Sequence, residues 1–488
     1  MSKPAKVIPI MSASAEVEDS AQFVSMYQKQ PTIYPRAVKG WFANWRWVFV
    51  WLTQLLFYGL PWLQWSGRQA VLFDLDAQRF YIFGLLLYPQ DLIFLAALLV
   101  LSALALFFFT AVAGRLWCGY TCPQTVYTEI FMWAERKIEG DRVARMRLDQ
   151  QPWRWRKIWR KGAKHSAWLS IALFTGFSFV GYFTPIRELA VDMASWNLSG
   201  WNAFWVLFYG AATYGNAGFL REQMCKYMCP YARFQSALID KDSLIITYDA
   251  KRGDPRGSRS RKADSAAHGL GDCIDCTLCV QVCPTGIDIR NGLQNECIGC
   301  AACIDVCNDV MDKMGYAKGL IRYSTENGVV NGWTRLQMFK RALRPRVLIY
   351  GAVLSAASVT FAASVAMRSP FKFDVVKDRG ALARVVEEGA VENVYRIQIM
   401  NRTEAPQTYR VSASGIDGLE VVAMPASAGP AAVTSTSVSL RLPFVVAQGL
   451  AGRSVPVMFA VTGVEPTSGT SADRSAIQFE KSTFFIPR

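Results

Sequence analysis

The chain has 488 residues, 52% hydrophobic and 19% charged, with 53 Lys and Arg against 38 Asp and Glu for a net charge of +15. This composition excludes a disordered or fibrous protein, and a mean hydropathy of +0.15 is high for a purely soluble one. Only two His occur and no Cys-x-x-Cys-His run exists, so bis-His haem, attached haem and His-rich metal sites are excluded.

The first forty residues are polar and lack the apolar core and small-residue cleavage site of a secretory signal, which predicts a chain that starts in the cytoplasm. Five apolar stretches follow, at 47–65, 92–113, 166–186, 201–220 and 347–367, each long enough to cross about 30 Å of hydrocarbon as a helix. The loop 136–164 carries eleven Lys and Arg and the segment 221–346 is also rich in them, whereas 66–91 and 187–200 are sparse. Basic loops stay on the cytoplasmic side, so the N-terminus is predicted inside and the C-terminus outside after five crossings. The net charge then reflects topology and contact with membrane lipid, and no nucleic-acid partner is needed. Trp41, Trp45, Trp47, Trp62, Trp65, Trp196 and Trp201 cluster at the ends of spans, where amphipathic rings anchor.

All 12 Cys fall between Cys118 and Cys307. That crowding signals metal or redox chemistry and not a disulfide framework. Cys118-Gly-Tyr-Thr-Cys122-Pro123 follows the second span and Cys225-Lys-Tyr-Met-Cys229-Pro230 the fourth, both C-x-Y-x-C-P, with Arg115 and Arg221 upstream. On a helix, Cys at i and i+4 share one face, and two such pairs on facing helix ends would form a four-thiolate pocket. Soft thiolates select Cu(I), zinc or iron–sulfur, and the thioethers of Met224 and Met228 tilt the choice toward copper. Packing cysteines, redox-regulated dithiols and a third iron–sulfur cluster remain open on these residues.

Residues 251–272, rich in Gly, Ser and Arg, read as a flexible tether. After it come Cys273, Cys276, Cys279 and Cys283, then Cys297, Cys300, Cys303 and Cys307, both in the C-x₂-C-x₂-C-x₃-C spacing of two-cluster ferredoxins. In that pattern the fourth Cys crosses over. Cys273, Cys276, Cys279 and Cys307 are expected to hold one 4Fe–4S cluster, and Cys297, Cys300, Cys303 and Cys283 the other. Zinc also suits four Cys, but rarely with this spacing twice in succession. Asn308 stands where the first run has Pro284. After the last span, apolar residues alternate at 394–400, 437–442 and 454–461 between Gly, Pro and Asn turns, the pattern of an immunoglobulin-like sandwich. No G-x-G-x-x-G opens a helix and no Walker loop occurs, while His165 and His268 have no partner pattern.

The expected fold is thus a multi-domain membrane protein: a five-helix α transmembrane bundle, an α+β bacterial dicluster ferredoxin domain and a C-terminal all-β immunoglobulin-like sandwich. Its predicted divisions are a cytoplasmic segment at 1–40, helices 1 to 4 with both C-x₃-C-P pairs at 41–235, the cytoplasmic ferredoxin domain with its linkers at 236–345, helix 5 at 346–368 and a periplasmic domain at 369–488.

On these residues the chain resembles the cytochrome c oxidase accessory proteins of the CcoG/FixG/RdxA type, membrane-bound dicluster ferredoxins. The paired C-x₃-C-P motifs together with the ferredoxin repeat carry the resemblance, which spans nearly the whole length. It implies a bacterial inner-membrane cupric reductase that converts Cu(II) to Cu(I) during assembly of cbb3-type oxidases. Cys118, Cys122, Cys225 and Cys229 would be its catalytic, copper-binding thiolates, and the Cys273 to Cys307 clusters would supply electrons. Oxidase subunits or copper chaperones are the implied partners; the electron donor and any homo-oligomer stay open. Two rival functions predict different behaviour: a quinol-linked ferredoxin feeding another complex, indifferent to copper, and a non-catalytic assembly scaffold that works without its clusters.

Overall fold

A computed structural model describes residues 32–261, 269–378, 380, 382–386, 389–464 and 477–487; His268 lies outside them. Five long helices run over Trp41–Gly59, Leu92–Ala113, Trp155–Val180, Gly200–Gly215 and Pro345–Ala366. The first stops short of the predicted Trp65 because Pro61 has no amide to donate, and the chain tightens into a 3₁₀ turn at Leu60–Trp62. The fourth leaves α geometry at Gly215 and continues as a π-turn over Asn216–Leu220.

Among the described residues, two helices are long and apolar enough to cross a membrane by length and composition, Pro89–Ala113 and Pro345–Ala366. They pack antiparallel, with Phe94 against Phe361 at one end and Gly351 against Phe108 at the other. Their outer sides, such as Ile93 at 72% exposure and Leu99 at 63%, form an apolar surface that water would penalise and hydrocarbon would not. The other three fall short of that measure. Trp155–Val180 carries Arg156, Lys157, Arg160, Lys161 and Lys164 in its first half, Trp41–Gly59 is interrupted by Asn44, Arg46 and Gln54, and Gly200–Gly215 is only 16 residues long. Trp155–Val180 and Gly200–Gly215 pack closely at Gly176, where a Cβ would collide with the Val206 carbonyl.

The helices have two distinct ends. At one, a three-stranded meander over Val71–Asp74, Arg79–Ile82 and Leu85–Leu87 docks on the C-terminal sandwich, burying Leu72, Tyr81 and Leu86 against Met400. The sandwich has one sheet ordered Glu420–Ala423, Val433–Leu442, Val391–Asn401, Phe371–Lys377, and a second ordered Ala426–Ala428, Gln407–Ser414, Ser454–Val464, Ile477–Phe485. Alternate residues face inward, Tyr395, Ile397 and Ile399 from one sheet and Val457, Phe459 and Val461 from the other. The strands enclose all three alternating runs read from the sequence.

At the opposite end sit both C-x₃-C-P turns and the ferredoxin domain, built on helices Leu278–Gln281 and Ala302–Met314 and the antiparallel strands Ile245–Tyr248 and Ile321–Ser324. The expected tether departs from its reading. Asp272 N donates to Arg252 O at 2.9 Å, Gly271 N to Pro255 O at 2.9 Å, and the Arg252 and Asp272 side chains pair at 2.5 Å. The described parts of 251–272 thus close a loop on the domain, because Arg252 supplies directional donors that composition alone does not reveal.

Candidate metal and electron-transfer site

The two ferredoxin runs share a backbone course. Asp275 and Thr277 in the first and Gly299 and Ala301 in the second all have positive φ, 51° and 55° against 69° and 60°. Alternating left-handed residues turn successive amides toward one concavity, the arrangement that receives anionic clusters. Each run then opens a helix, at Leu278 and Ala302. The second helix continues through Asn308 to Met314, where the first turns at Pro284, and Asn308 Oδ1 accepts from Gly319 N at 3.0 Å.

Cys273, Cys276 and Cys279 line one cavity with Cys307 from the far end of the second run. Cys283 lies within electrostatic reach of Cys297, Cys300 and Cys303. Burial pushes the thiols of Cys297 and Cys307 up to about 12 and that of Cys279 to about 11. Without metal these groups hold their protons at neutral pH, so loading of metal releases protons. Two all-Cys donor sets of this kind suit iron–sulfur clusters.

The C-x₃-C-P pairs also share one local build. Cys118 lies in the short helix Leu116–Tyr120 and Cys225 in the π-turn Met224–Met228. The second Cys of each pair leaves the helix in an extended conformation, Cys122 at ψ 128° and Cys229 at ψ 109°, and caps a new helix whose first residue is proline. Both turns close alike, Cys122 N to Trp117 O at 3.0 Å and Cys229 N to Met224 O at 2.8 Å. The pairs therefore do not lie along one uninterrupted helix face: proline is tolerated only as a first helical residue, which forces a break before it. Cys122 gains the amides of Gln124 and Thr125, which partly offset the upward push of burial on its thiol.

All four of these thiols lie within one another's electrostatic reach, and burial raises Cys118 to about 11 and Cys225 to about 12. Cys118 Sγ donates to Gln235 Oε1 at 3.4 Å. Met224 is half-buried, and Met228 is 59% exposed. Among the described residues no group of three His, Cys, Asp or Glu side chains is drawn together around a single point, at these turns or in the ferredoxin runs.

Cys118 and Cys225 pack in the same apolar cluster as Cys300 and Cys303. The contact is tightest at Gly119, where a Cβ would stand 2.8 Å from Gly299 O and 2.9 Å from Cys300 N. Arg115 ties the parts together, donating to Ala232 O at 2.6 Å beyond the second C-x₃-C-P and to Asn295 O in the ferredoxin loop. Tyr323 donates to Gly299 O at 2.6 Å. Arg46, buried and ion-paired with Glu129, sets a positive charge near Cys300. Sequence reading singled out Arg115 but missed Gly119, Arg46 and Tyr323. The one available signal was the small residue directly after Cys118.

Residues 220–326 match a family model described as a 4Fe-4S dicluster domain, residues 95–140 one described as a 4Fe-4S binding domain, and residues 361–487 one described as an IG-like fold at the C-terminal of FixG. The chain is 35% identical over 422 residues to the nitrogen fixation protein FixG of Rhizobium meliloti, covering 80% of each. It is 37% identical over 404 residues to protein RdxA of Cereibacter sphaeroides, covering 81% of this chain and 84% of the other. To protein RdxB of the same organism it is 38% identical over 399 residues, covering 80% and 83%. Joined to two all-Cys donor sets and a C-terminal sandwich, identity of this extent means that the chain belongs to the FixG/RdxA family of iron–sulfur electron-transfer proteins.

Proposed function

We propose that the protein is an inner-membrane cupric reductase that supplies Cu(I) to the assembly of a cbb3-type cytochrome c oxidase, with Cys118, Cys122, Cys225 and Cys229 receiving copper. Cys273, Cys276, Cys279 and Cys307 hold one 4Fe–4S cluster in this reading, and Cys297, Cys300, Cys303 and Cys283 the other. The observation that carries it is the shared packing of Cys118 and Cys225 with Cys300 and Cys303. Thiols packed in one cluster with the cysteines of a one-electron donor are suited to a one-electron reduction, and Cu(I) is the softer ion that thiolates keep. An adjacent electron source also spares the thiolates from being oxidised by Cu(II) to disulfide. Two thiolates suffice for Cu(I), so a closed four-ligand centre is not required; Met224 is the nearer thioether candidate, because Met228 is exposed.

The five long helices cross the membrane in this reading, with the N-terminus and clusters cytoplasmic and the sandwich periplasmic. In its support, the basic loop 136–164 is joined to the second Cys turn through Glu135, which pairs with both Arg145 and Arg221, and the basic-poor loop 66–91 lies at the sandwich end. Oxidase subunits or a copper chaperone would receive the copper.

The test is anaerobic. The protein is reduced with dithionite, freed of excess reductant and mixed with Cu(II) and a Cu(I)-specific chelator, alongside a Cys118→Ser/Cys225→Ser variant. The expected result is cluster bleaching that reverses in step with chelated Cu(I), at least tenfold slower in the variant. Equal rates would remove the thiols from the reaction. A second reading has one observation in its favour: the matched 4Fe-4S binding domain at 95–140 contains Cys118 and Cys122 and no other Cys. Iron analysis separates the two, since two cubanes need about eight irons per chain and a third cluster on the C-x₃-C-P pairs would bring about twelve.

A further inference from the structure

Electron transfer through the clusters needs a donor. A cavity of about 390 Å³ opens beside the Cys225 turn, within the range of small-molecule pockets. Its apolar wall is made by Trp168, His165 and Phe219, where the Trp155–Val180 helix meets the π-turn Asn216–Leu220. The His165 and Phe219 rings lie nearly parallel, 15° apart, and Trp168 stands edge-on to both. Its polar wall is an ion-pair network. Glu135 pairs with Arg145 at 2.7 Å and Arg221 at 2.8 Å, and Glu139 with Lys161 at 3.1 Å and Lys164 at 3.3 Å. Lys161 continues to Asp149 at 2.6 Å, and Glu222 also lines the cavity.

Four cations are balanced by four carboxylates, so the cavity holds no excess charge for a phosphate headgroup or another anion. A neutral, flat molecule with polar groups at its edge fits the wall and the network together. Glu139 is 1% exposed, and its Oε1 lacks a hydrogen-bond donor of good geometry despite the two nearby ammonium groups. The wall formed by Arg221 and Glu222 is shared with the neighbouring cavity lined by Cys225 and Pro284, which puts any electron donor bound here next to the metal-binding thiols.

We propose that this cavity is where electrons enter and that its ligand is a hydroquinone dissolved in the membrane. The hydroquinone loses two electrons and both hydroxyl protons and leaves as the quinone. In the tautomer that donates Nδ1–H to Tyr214, 2.9 Å away, His165 takes one proton on Nε2. The Glu139 carboxylate takes the other and is linked through Lys161 to Asp149, whose side chain is about one-third exposed. The electrons pass singly to the oxidised iron–sulfur clusters, with Cu(II) or another one-electron acceptor beyond them. The proposal rests on the electron-transfer reading of the chain and not on copper.

The test uses the full-length, cluster-loaded protein in phosphatidylcholine nanodiscs free of quinone. Menadione binding is followed by quenching of tryptophan fluorescence, and cluster bleaching by menadiol is followed anaerobically. Wild type is expected to bind menadione saturably. Phe219→Ala, at a residue 59% exposed, should bind at least tenfold more weakly while keeping wild-type iron content. His165→Gln should be bleached at least tenfold more slowly than wild type at saturating menadiol, while dithionite bleaches all three alike. Equal binding by wild type and Phe219→Ala, or bleaching of His165→Gln at the wild-type rate, would overturn the proposal. So would displacement of menadione by added phosphatidylglycerol at ordinary membrane content, which would mark a lipid site. Failure of dithionite-reduced wild type to reduce Cu(II) would count against the copper reading alone.

Discussion

Asp288 illustrates how one side chain couples charge, stability and redox chemistry. Its carboxylate accepts from Arg290 Nε at 2.8 Å and pairs with Arg290 Nη2 at 2.7 Å, and Arg290 in turn lines the cavity of Cys273, Cys276, Cys279 and Cys307. Those Arg290 hydrogen bonds hold the Asp288 carboxyl below its ordinary 3.8, against the opposing effect of burial. A depressed carboxylate contributes stability that is present above its unfolded value and lost as pH falls through the folded one. Asp288→Asn is therefore expected to lower stability near neutral pH and to flatten the acid limb below about pH 4, read from urea midpoints across pH. Removing a negative charge near the cavity also favours the more negative, reduced cluster, so the potential of the cluster held there should rise in an EPR-monitored redox titration. An unchanged potential would mean that Arg290 screens the site completely.

At the scale of elements, the decisive joint is the one between the Leu116–Tyr120 helix and the second ferredoxin loop. Gly119 touches Gly299 and Cys300 so closely that no Cβ fits without movement. Gly119→Ala should push the two apart, at a cost of about 1–3 kcal/mol. The expected outcome is a protein with normal iron content and slower delivery of electrons from clusters to Cu(II), measured in the chelator assay; normal kinetics would show that the joint is not the electron path. The dicluster domain was legible because its Cys runs are defined by spacing along the chain. The joint was not, because Gly119 and Cys300 are 181 positions apart and nothing local marks their contact. The C-x₃-C-P pairs fall between these cases. Proline announced the break, but the step of Cys122 and Cys229 out of the helix depends on the π-type closure behind them.

For the whole molecule, the sandwich is tied to the helices by Asp91, which is 6% exposed and lies between Arg402 and Arg368, beside the apolar meander contacts. Tyr88 adds a bond to Asn401 O at 2.9 Å, and Glu404 pairs with Arg68 at 2.7 Å. Asp91→Ala would leave two guanidinium groups buried without their partner, a loss of about 3–5 kcal/mol. The sandwich should then unfold or detach as a separate, earlier thermal transition with increased protease cleavage near Met367, while cluster absorbance is retained. A single unchanged transition would mean that the meander contacts hold the domain without it.

The sequence by itself determined what depends on covalent order: which Cys form two ferredoxin runs, which stretches are apolar enough to be helices, and where polar and apolar residues alternate as strands. These features arise from spacing and periodicity, so they need no knowledge of distant contacts. Tertiary structure alone decided that the described parts of 251–272 fold back through Arg252 and Asp272, that both C-x₃-C-P turns pack in one apolar cluster with Cys300 and Cys303, and that a charge-balanced cavity opens beside them. The physical reason is the same in each case. Burial, ion pairing and steric fit between residues a hundred or more positions apart are set by how helices and domains pack, and no local pattern encodes them.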